Sequence, residues 1–475
     1  MKRLRTAILC LLTVLNSPFL QTECHAGDAD RRTPMNFVIM IADDLGSDDL
    51  GCYGHPTIRS PHIDQLAETG LTFDNAFLTT SSCSPSRCSI MTGRYPHNTG
   101  AGELHLPLPA NQTTFADILK ENGYYTAAAG KWHLGPAPRP HFNRIYSRGG
   151  PSGCGEWVDS IKDRDKDRPF FLWLAASDPH RGYQPGAVDN PHAPESVVVP
   201  PFFPDTPEVR KDLALYYDEV SRFDEFVGAV FDELKNQNLL DSTMIIVLSD
   251  NGRPFPRCKT TLYDSGIKTP FIVYASHLHE STKGSRTGSM VSSIDIAPTL
   301  LDLAGLAIPE SMQGVSFAPV LKNPGTEVRQ SIHAEHNWHD FMARERCVRT
   351  RRFLYIKNDL PHLPLTPPAD AVNSPSWASM NDELRLGRLN PFQSVCFTSP
   401  RPEEELYDVV LDPHQLYNLA SLPAYIQILQ DLRHQHQTWS SDTNDILPDI
   451  QEISPDGFDR ATGDKLIPKA HPSFQ

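Results

Sequence analysis

Four stretches of the chain repeat one pattern, an apolar run of strand length that shows no polar alternation and ends in polar residues. "NFVIMIADD" ends at Asp43 and Asp44, and "YYTAAAGKWH" at Lys131 and His133. "PFFLWLAASDPH" ends at Asp178 and His180, and "MIIVLSDNG" runs into Asp250 and Asn251. Strands that read this way are buried on both faces, as in a parallel sheet covered by helices on each side. Helical stretches lie between them. "SPHIDQLAETG" and "TTFADILKENG" each begin near Ser or Thr and stop at Gly. "DLALYYDEVSRFDEFVGAVFDELKNQN" gathers Leu213, Tyr216, Val220, Phe223, Val227, Val230 and Leu234 on one face. Alternating strands and helices predict an α/β domain, in which ligands bind outside the carboxyl ends of the strands. All the polar pairs fall at that edge, so a single site is the economical expectation.

The length of 475 residues allows one large domain and a smaller one. "MQGVSFAPVLKNPGTEVRQ" reads as the exit from the large domain, giving expected bounds of 34–330 and 331–475. In the second part "SIHAEH", "RRFLYIKND" and "EELYDVVLDP" read as strands and "PAYIQILQDLRHQHQTW" as a closing helix, an α+β subdomain. Residues 1–26 have a basic start, an apolar stretch and a small residue at Ala26, the form of a secretory signal peptide. A membrane anchor is the alternative, but the apolar stretch is short and Asn16, Ser17 and Pro18 interrupt it. The expectation is an exported protein, secreted or periplasmic (lysosomal in an animal), with no membrane span. A net charge of −15 speaks against nucleic acid as a partner, so a polyanionic ligand would need a local basic pocket.

Asp43, Asp44, Asp250 and Asn251 are all oxygen donors and together would suit a hard cation, Ca²⁺ or Mg²⁺. Acidic residues at strand ends also serve as turn formers and helix caps. Beyond the leader seven cysteines remain, at 52, 83, 88, 154, 258, 347 and 396, in no zinc spacing. An odd number leaves at least one unpaired or modified in an oxidising compartment. Cys83 stands out in "SCSPSRCSIMTGR", where a disulfide to Cys88, a thiol nucleophile and a modified residue are all open readings.

"CSPSRCSIMTGR" resembles the signature of the type I sulfatases, C-x-P-S-R followed by T-G-R. "ADD", "GKWH", "DPH", "SDNG", the Lys259–Tyr263 run and "ELYDVVLDPHQLYNLA" are similar to further motifs of that family and occur in its order. The resemblance implies an alkaline-phosphatase-like fold, with a large mixed, mostly parallel sheet and a smaller C-terminal subdomain. It implies that a formylglycine-generating maturation enzyme oxidises Cys83 to an aldehyde, 3-oxoalanine. One hydroxyl of the hydrated aldehyde attacks sulfur and the other later expels sulfate. Asp43, Asp44, residue 83, Asp250 and Asn251 would hold the cation. Arg87 and Lys131 would hold the hydrate and sulfate, His133 take a proton, Lys259 bind a sulfate oxygen and His180 protonate the leaving atom.

"DPHR" and "SDNGRPFP" are most similar to members that act on N-sulfated glucosamine, so a sulfated glycan of heparan type is the expected substrate. O-sulfate esters, phosphoesters hydrolysed on the same fold, and a non-catalytic glycan-binding role are the alternatives. "EHNWHDFMARER" offers His336, His339 and Arg346 as sugar-binding donors, equally open to a solvated-loop reading. Two segments depart from the family. Asp264-Ser265-Gly266 with Lys268 stands where many members have Glu-Gly-Gly and a basic residue. The segment 136–167 is short and irregular where members contribute a loop and helix near the pocket.

Overall fold

The structure is a computed structural model that describes residues 35–147, 149–275, 282–446 and 459. The leader expected over residues 1–26 lies outside the described residues. Eight strands form one sheet: β1 (Asn36–Ala42), β2 (Leu71–Phe77), β3 (Tyr125–Gly130), β4 (Arg144–Ile145), β5 (Phe170–Ala175), β6 (Thr243–Ser249), β7 (Phe271–Ala275) and β8 (Ser285–Ser292). Their order is β4-β3-β5-β1-β6-β7-β2-β8, and only β7 runs against its neighbours. The strands carrying the polar pairs, β3, β5, β1 and β6, are consecutive and parallel, so their carboxyl ends open on one edge.

β1 explains the missing alternation. Val38, Met40 and Ala42 join the core under the helix Pro207–Asn236, and Phe37, Ile39 and Ile41 join the opposite core. That second core is built with the helices Cys83–Thr92, Phe115–Glu121 and Ile296–Leu303. The helix Pro207–Asn236 begins where the Thr206 hydroxyl accepts the Val209 N–H at 3.3 Å, with proline in its first turn. All seven residues expected on its inner face are buried, each worth about 1.5–3 kcal/mol for a large apolar side chain.

The second sheet is antiparallel: β9 (Ser331–His336), β10 (Glu345–Thr350), β11 (Phe353–Asn358) and β12 (Glu404–Asp408), in the order β12-β11-β10-β9. The helix Ile426–Asp442 closes it, with Leu429 and Leu432 on Val348, Tyr355 and Leu406. β10, "ERCVRT", is not among the strands expected from the sequence; ion pairs to Asp445, Asp264 and Arg401 keep its charges inside the fold. The small sheet bears on the connection 253–267 between β6 and β7. Arg349 donates twice to Asp264, each bond 2.8 Å, and the Tyr263 hydroxyl donates to Glu405 at 2.8 Å. Among the described residues, no helix is long and apolar enough to cross a membrane.

Candidate active site

β1 and β6 run in register up to Ala42 opposite Ser249, so the next residues, Asp43 and Asp250, emerge side by side. Asp44 follows in a left-handed turn with φ 75°, and its backbone N–H donates to Asp250 Oδ1 at 3.2 Å. β3 ends at Gly130, whose φ of 93° and tight fit permit no side chain, since a Cβ would meet the Ala175 carbonyl at 2.0 Å. That turn delivers Lys131 to Asp43, with which it pairs. Cys83 opens the helix Cys83–Thr92, every residue of which is buried. The Arg87 guanidinium, one turn on, donates through Nε to Asp250 at 2.8 Å and through Nη1 to the Lys131 carbonyl at 3.2 Å.

The oxygen donors converge. Asp43, Asp44 and Cys83 bring potential ligand atoms within 4.8 Å of one another. The Asn251 amide N–H donates to Asp44, and the buried oxygens Asp43 Oδ1 and Asn251 Oδ1 have no hydrogen-bond partner. Burial raises Asp44 to about 7 and Asp250 to about 6, with Asp43 adding repulsion in each case. Burial also acts on Asp43, yet Lys131 holds it below the usual carboxylate range. Crowded carboxylates and orphaned oxygens fit a hard divalent cation, which would favour their charged forms. Burial pushes the Cys83 thiol well up, so the sulfur as it stands is protonated.

Lys259 and His180 face this cluster. Lys259 Nζ lies 2.8 Å from Asp44 Oδ2 and 3.0 Å from Asp370 Oδ2. His180 Nδ1–H donates to the Arg181 carbonyl at 2.8 Å, which turns Nε2 toward Asp44 at 3.9 Å and Asp370 at 3.4 Å. Burial, then Lys259, lowers His180 to about 4. His133, in a left-handed conformation with φ 52°, has a buried Nδ1 without a hydrogen-bond partner and sits beside His105. Burial, then Lys131, keeps it neutral. A cavity of about 820 Å³ opens from Asp43, Lys131, His133 and His180. The irregular segment 136–167 builds its far wall with Arg139, Tyr146 and Ser152, the last accepting the Asp178 N–H at 2.9 Å.

The structure thus brings together Asp43, Asp44, Cys83, Arg87, Lys131, His133, His180, Asp250, Asn251 and Lys259. It also brings His339 near, bonded through Nδ1 to the hydroxyl of Ser82 at 2.6 Å. It does not bring His336, which is buried 3.3 Å from Glu345, or Arg346, which donates to Asp445 at 2.7 and 2.9 Å. No disulfide forms among the described residues, and Cys83 and Cys88 are both free on one helix. Asp264, where the sequence departs from the family pattern, is the partner of Arg349. Asp370 escaped sequence reasoning: a single aspartate after Pro367 and Pro368, distant in sequence from every motif, gives no signal.

Comparison with known proteins agrees with this geometry. The family model described as Sulfatase matches residues 35–152 and 155–306, and that described as "N-sulphoglucosamine sulphohydrolase, C-terminal" matches 257–359. Human N-sulphoglucosamine sulphohydrolase is 31% identical, with 93% of this chain and 95% of that protein covered. An ulvan-active sulfatase of Formosa agariphila is 30% identical over 88% of this chain and 77% of its own length. A solved structure of an enzyme in complex with its substrate D-glucosamine-2-N,6-O-disulfate shares the fold, with a TM-score of 0.70 at 20% identity, over 88% of this chain and all of the other. With this match over most of its length, the chain belongs to the sulfatase family.

Proposed function

We propose that the protein is an exported sulfatase that removes the N-sulfate from glucosamine at the non-reducing end of heparan-type chains, with residue 83 as formylglycine and Ca²⁺ as its cation. The observation that carries the reading is the position of Cys83. Its thiol lies within 4.8 Å of ligand atoms of Asp43 and Asp44 and in the field of Arg87, Lys131 and Lys259, which supports a metal-bound nucleophile at this position. The similarity to N-sulphoglucosamine sulphohydrolase along most of the chain supports the choice of the S–N bond.

A hard cation at Asp43, Asp44, Asp250 and Asn251 would supply Lewis acidity and offset the carboxylate charge. As hydrated formylglycine, residue 83 would offer two geminal hydroxyls, one nucleophilic and one whose deprotonation favours release of sulfate. The side chains do the rest. Arg87, fixed by Asp250, and Lys131, fixed by Asp43, hold residue 83 in a field that favours developing negative charge. Lys259, held by Asp44 and Asp370, would meet a sulfate oxygen. His133, neutral and beside Lys131, takes the proton whose loss expels sulfate. An amine leaves poorly as an anion, and His180 Nε2 is aimed to protonate it; an anionic sulfamate beside the ring favours the charged imidazole.

Two measurements test this. The mass of the peptide bearing residue 83 should be that of formylglycine in active protein. Sulfate should be released from N-sulfoglucosamine faster than from 6-O-sulfated glucosamine. Release from O-sulfates alone would leave an O-sulfatase, and an intact thiol in active protein would remove the formylglycine route.

A further inference from the structure

The geometry points to Asp370 as the residue that selects a nitrogen over an oxygen as the leaving atom; this rests on the S–N reading above and names the group that would enforce it. Asp370 enters the site from the turn Ala369–Val372, far along the chain from the sheet edge. Its Oδ2 lies 3.4 Å from His180 Nε2, the atom aimed at the leaving group, and 3.0 Å from Lys259 Nζ. The side chain is 19% exposed, whereas those of Asp43, Asp44 and Asp250 are at most 1% exposed, so this carboxylate faces the open side of the cluster.

The carboxylate is held in place. Ala371 N–H donates to Asp370 Oδ1 at 2.7 Å, which leaves Oδ2 for the site. Asp340 fixes the turn by accepting the Ala369 N–H at 2.8 Å. The same helix-borne carboxylate, Asp212, takes two bonds from Arg181 (2.9 and 2.8 Å) and one from Ser376 (2.6 Å). Arg181 follows His180 and Ser376 lies just beyond Asp370, so Asp212 anchors both the His180 loop and the Asp370 segment to one helix. Such double anchoring holds a carboxylate oxygen and an imidazole nitrogen at a set distance, as a binding site requires.

A carboxylate oxygen there distinguishes the two linkages. The sulfamate R–NH–SO₃⁻ carries one N–H that can donate to Asp370 Oδ2, and the departing amine carries more. The ester R–O–SO₃⁻ has only lone pairs to turn toward it. A site built to accept an N–H disfavours the analogue that lacks one, because the carboxylate oxygen is then left facing another acceptor. Asp370 also binds Lys259, and that contact would serve both linkages alike. The ratio of the two activities therefore isolates the contact with nitrogen.

The test compares kcat/KM for N-sulfoglucosamine and for an aryl sulfate in the matured, calcium-loaded enzyme and in its Asp370→Asn variant. The expected result is a loss of about tenfold or more on the sulfamate relative to the aryl sulfate, the scale of one hydrogen bond to a charged group. Equal losses on both substrates would overturn the inference and leave Asp370 as a prop for Lys259. A wild-type enzyme active on the aryl sulfate and inert toward N-sulfoglucosamine would instead remove the S–N reading itself. A binding measurement on wild-type protein stands apart from folding of the variant. Glucosamine, with its ammonium group, should inhibit aryl sulfate turnover at a concentration about tenfold or more below that of glucose. Equal inhibition by the two sugars would overturn the inference.

Discussion

Arg87 and Asp250 form a wholly buried ion pair at the centre of the site, with Nε at 2.8 Å and Nη2 at 2.7 Å from the same carboxylate oxygen. The pair joins the helix that carries residue 83 to the end of β6. Removing one member of such a pair strands a buried charge, at a cost of about 3–5 kcal/mol. Arg87→Met should therefore lower the denaturation midpoint as well as abolish turnover. Asp250→Asn keeps the shape and should unfold less readily than Arg87→Met does. Arg87→Met as stable as wild type would show that the pair contributes nothing net to the fold.

Cys83 and Cys88 make separable predictions because they face different surroundings. Cys83 points into the polar cluster, whereas Cys88 packs in the core with Ile90 and Met91. Cys83→Ala should reduce sulfate release below detection with circular dichroism and thermal stability nearly unchanged. Cys88→Ala should cost on the order of 1 kcal/mol of stability through the small cavity it leaves, and keep turnover within about tenfold. Matching losses of turnover in both variants would point to a role shared by the two sulfurs.

The sheet edge could be read from the sequence because each strand carries its own signal. Apolar runs without alternation mark strands buried on both faces, and β1 and β6 hand Asp43 and Asp250 to the same edge through their parallel register. Residues that reach the site from the second part of the chain carry no such signal. Asp370 follows two prolines in a turn, and only the fold brings it 3.0 Å from Lys259. Arg346 was misleading for the opposite reason. A run of charged residues resembles an exposed loop, but Asp445 and Arg401 neutralise Arg346 and Glu345, so "ERCVRT" sits inside a sheet as β10. Pairing at a distance in sequence is what local pattern cannot supply.

Metal dependence should appear in stability as well as in rate. Burial raises Asp44 and Asp250 and leaves two oxygens unpartnered, so a cation that binds only the folded state must stabilise it. At a calcium concentration of about 100 times the dissociation constant the gain is about 2.7 kcal/mol. Chelation should lower the denaturation midpoint, and re-addition of calcium should restore it along a saturation curve. Asp44→Ala should lose both the calcium-dependent shift and orders of magnitude of activity. A midpoint indifferent to calcium in the wild type would speak against a cation at these residues.

His97 gives the protein a pH-dependent clamp away from the reacting centre. Its Nδ1 lies 2.6 Å from Glu335 and 3.9 Å from Asp445, and its Nε2 is 3.2 Å from the Thr443 hydroxyl. Burial opposes its charge, and Arg346, paired with Asp445, opposes it further. The hydrogen bond and charge of Glu335, with that of Asp445, outweigh both, so its pKa is raised above the ordinary 6.5. A folded-state pKa above the unfolded one means that the folded protein binds the proton more tightly. The stabilisation is then complete below about pH 6.5 and fades as the pH rises through the folded-state value. His97→Gln, which keeps a hydrogen bond and cannot be charged, should lower the denaturation midpoint more at pH 5.5 than at pH 8.5. A hydrogen bond to a charged group is worth about 1.5–3 kcal/mol, so the gap should be measurable by calorimetry. The ring also packs against Trp439 at 5.5 Å, and loss of that contact should cost the same at both pH values. An identical loss at pH 5.5 and 8.5 would therefore assign the whole effect of His97 to packing and none to its charge.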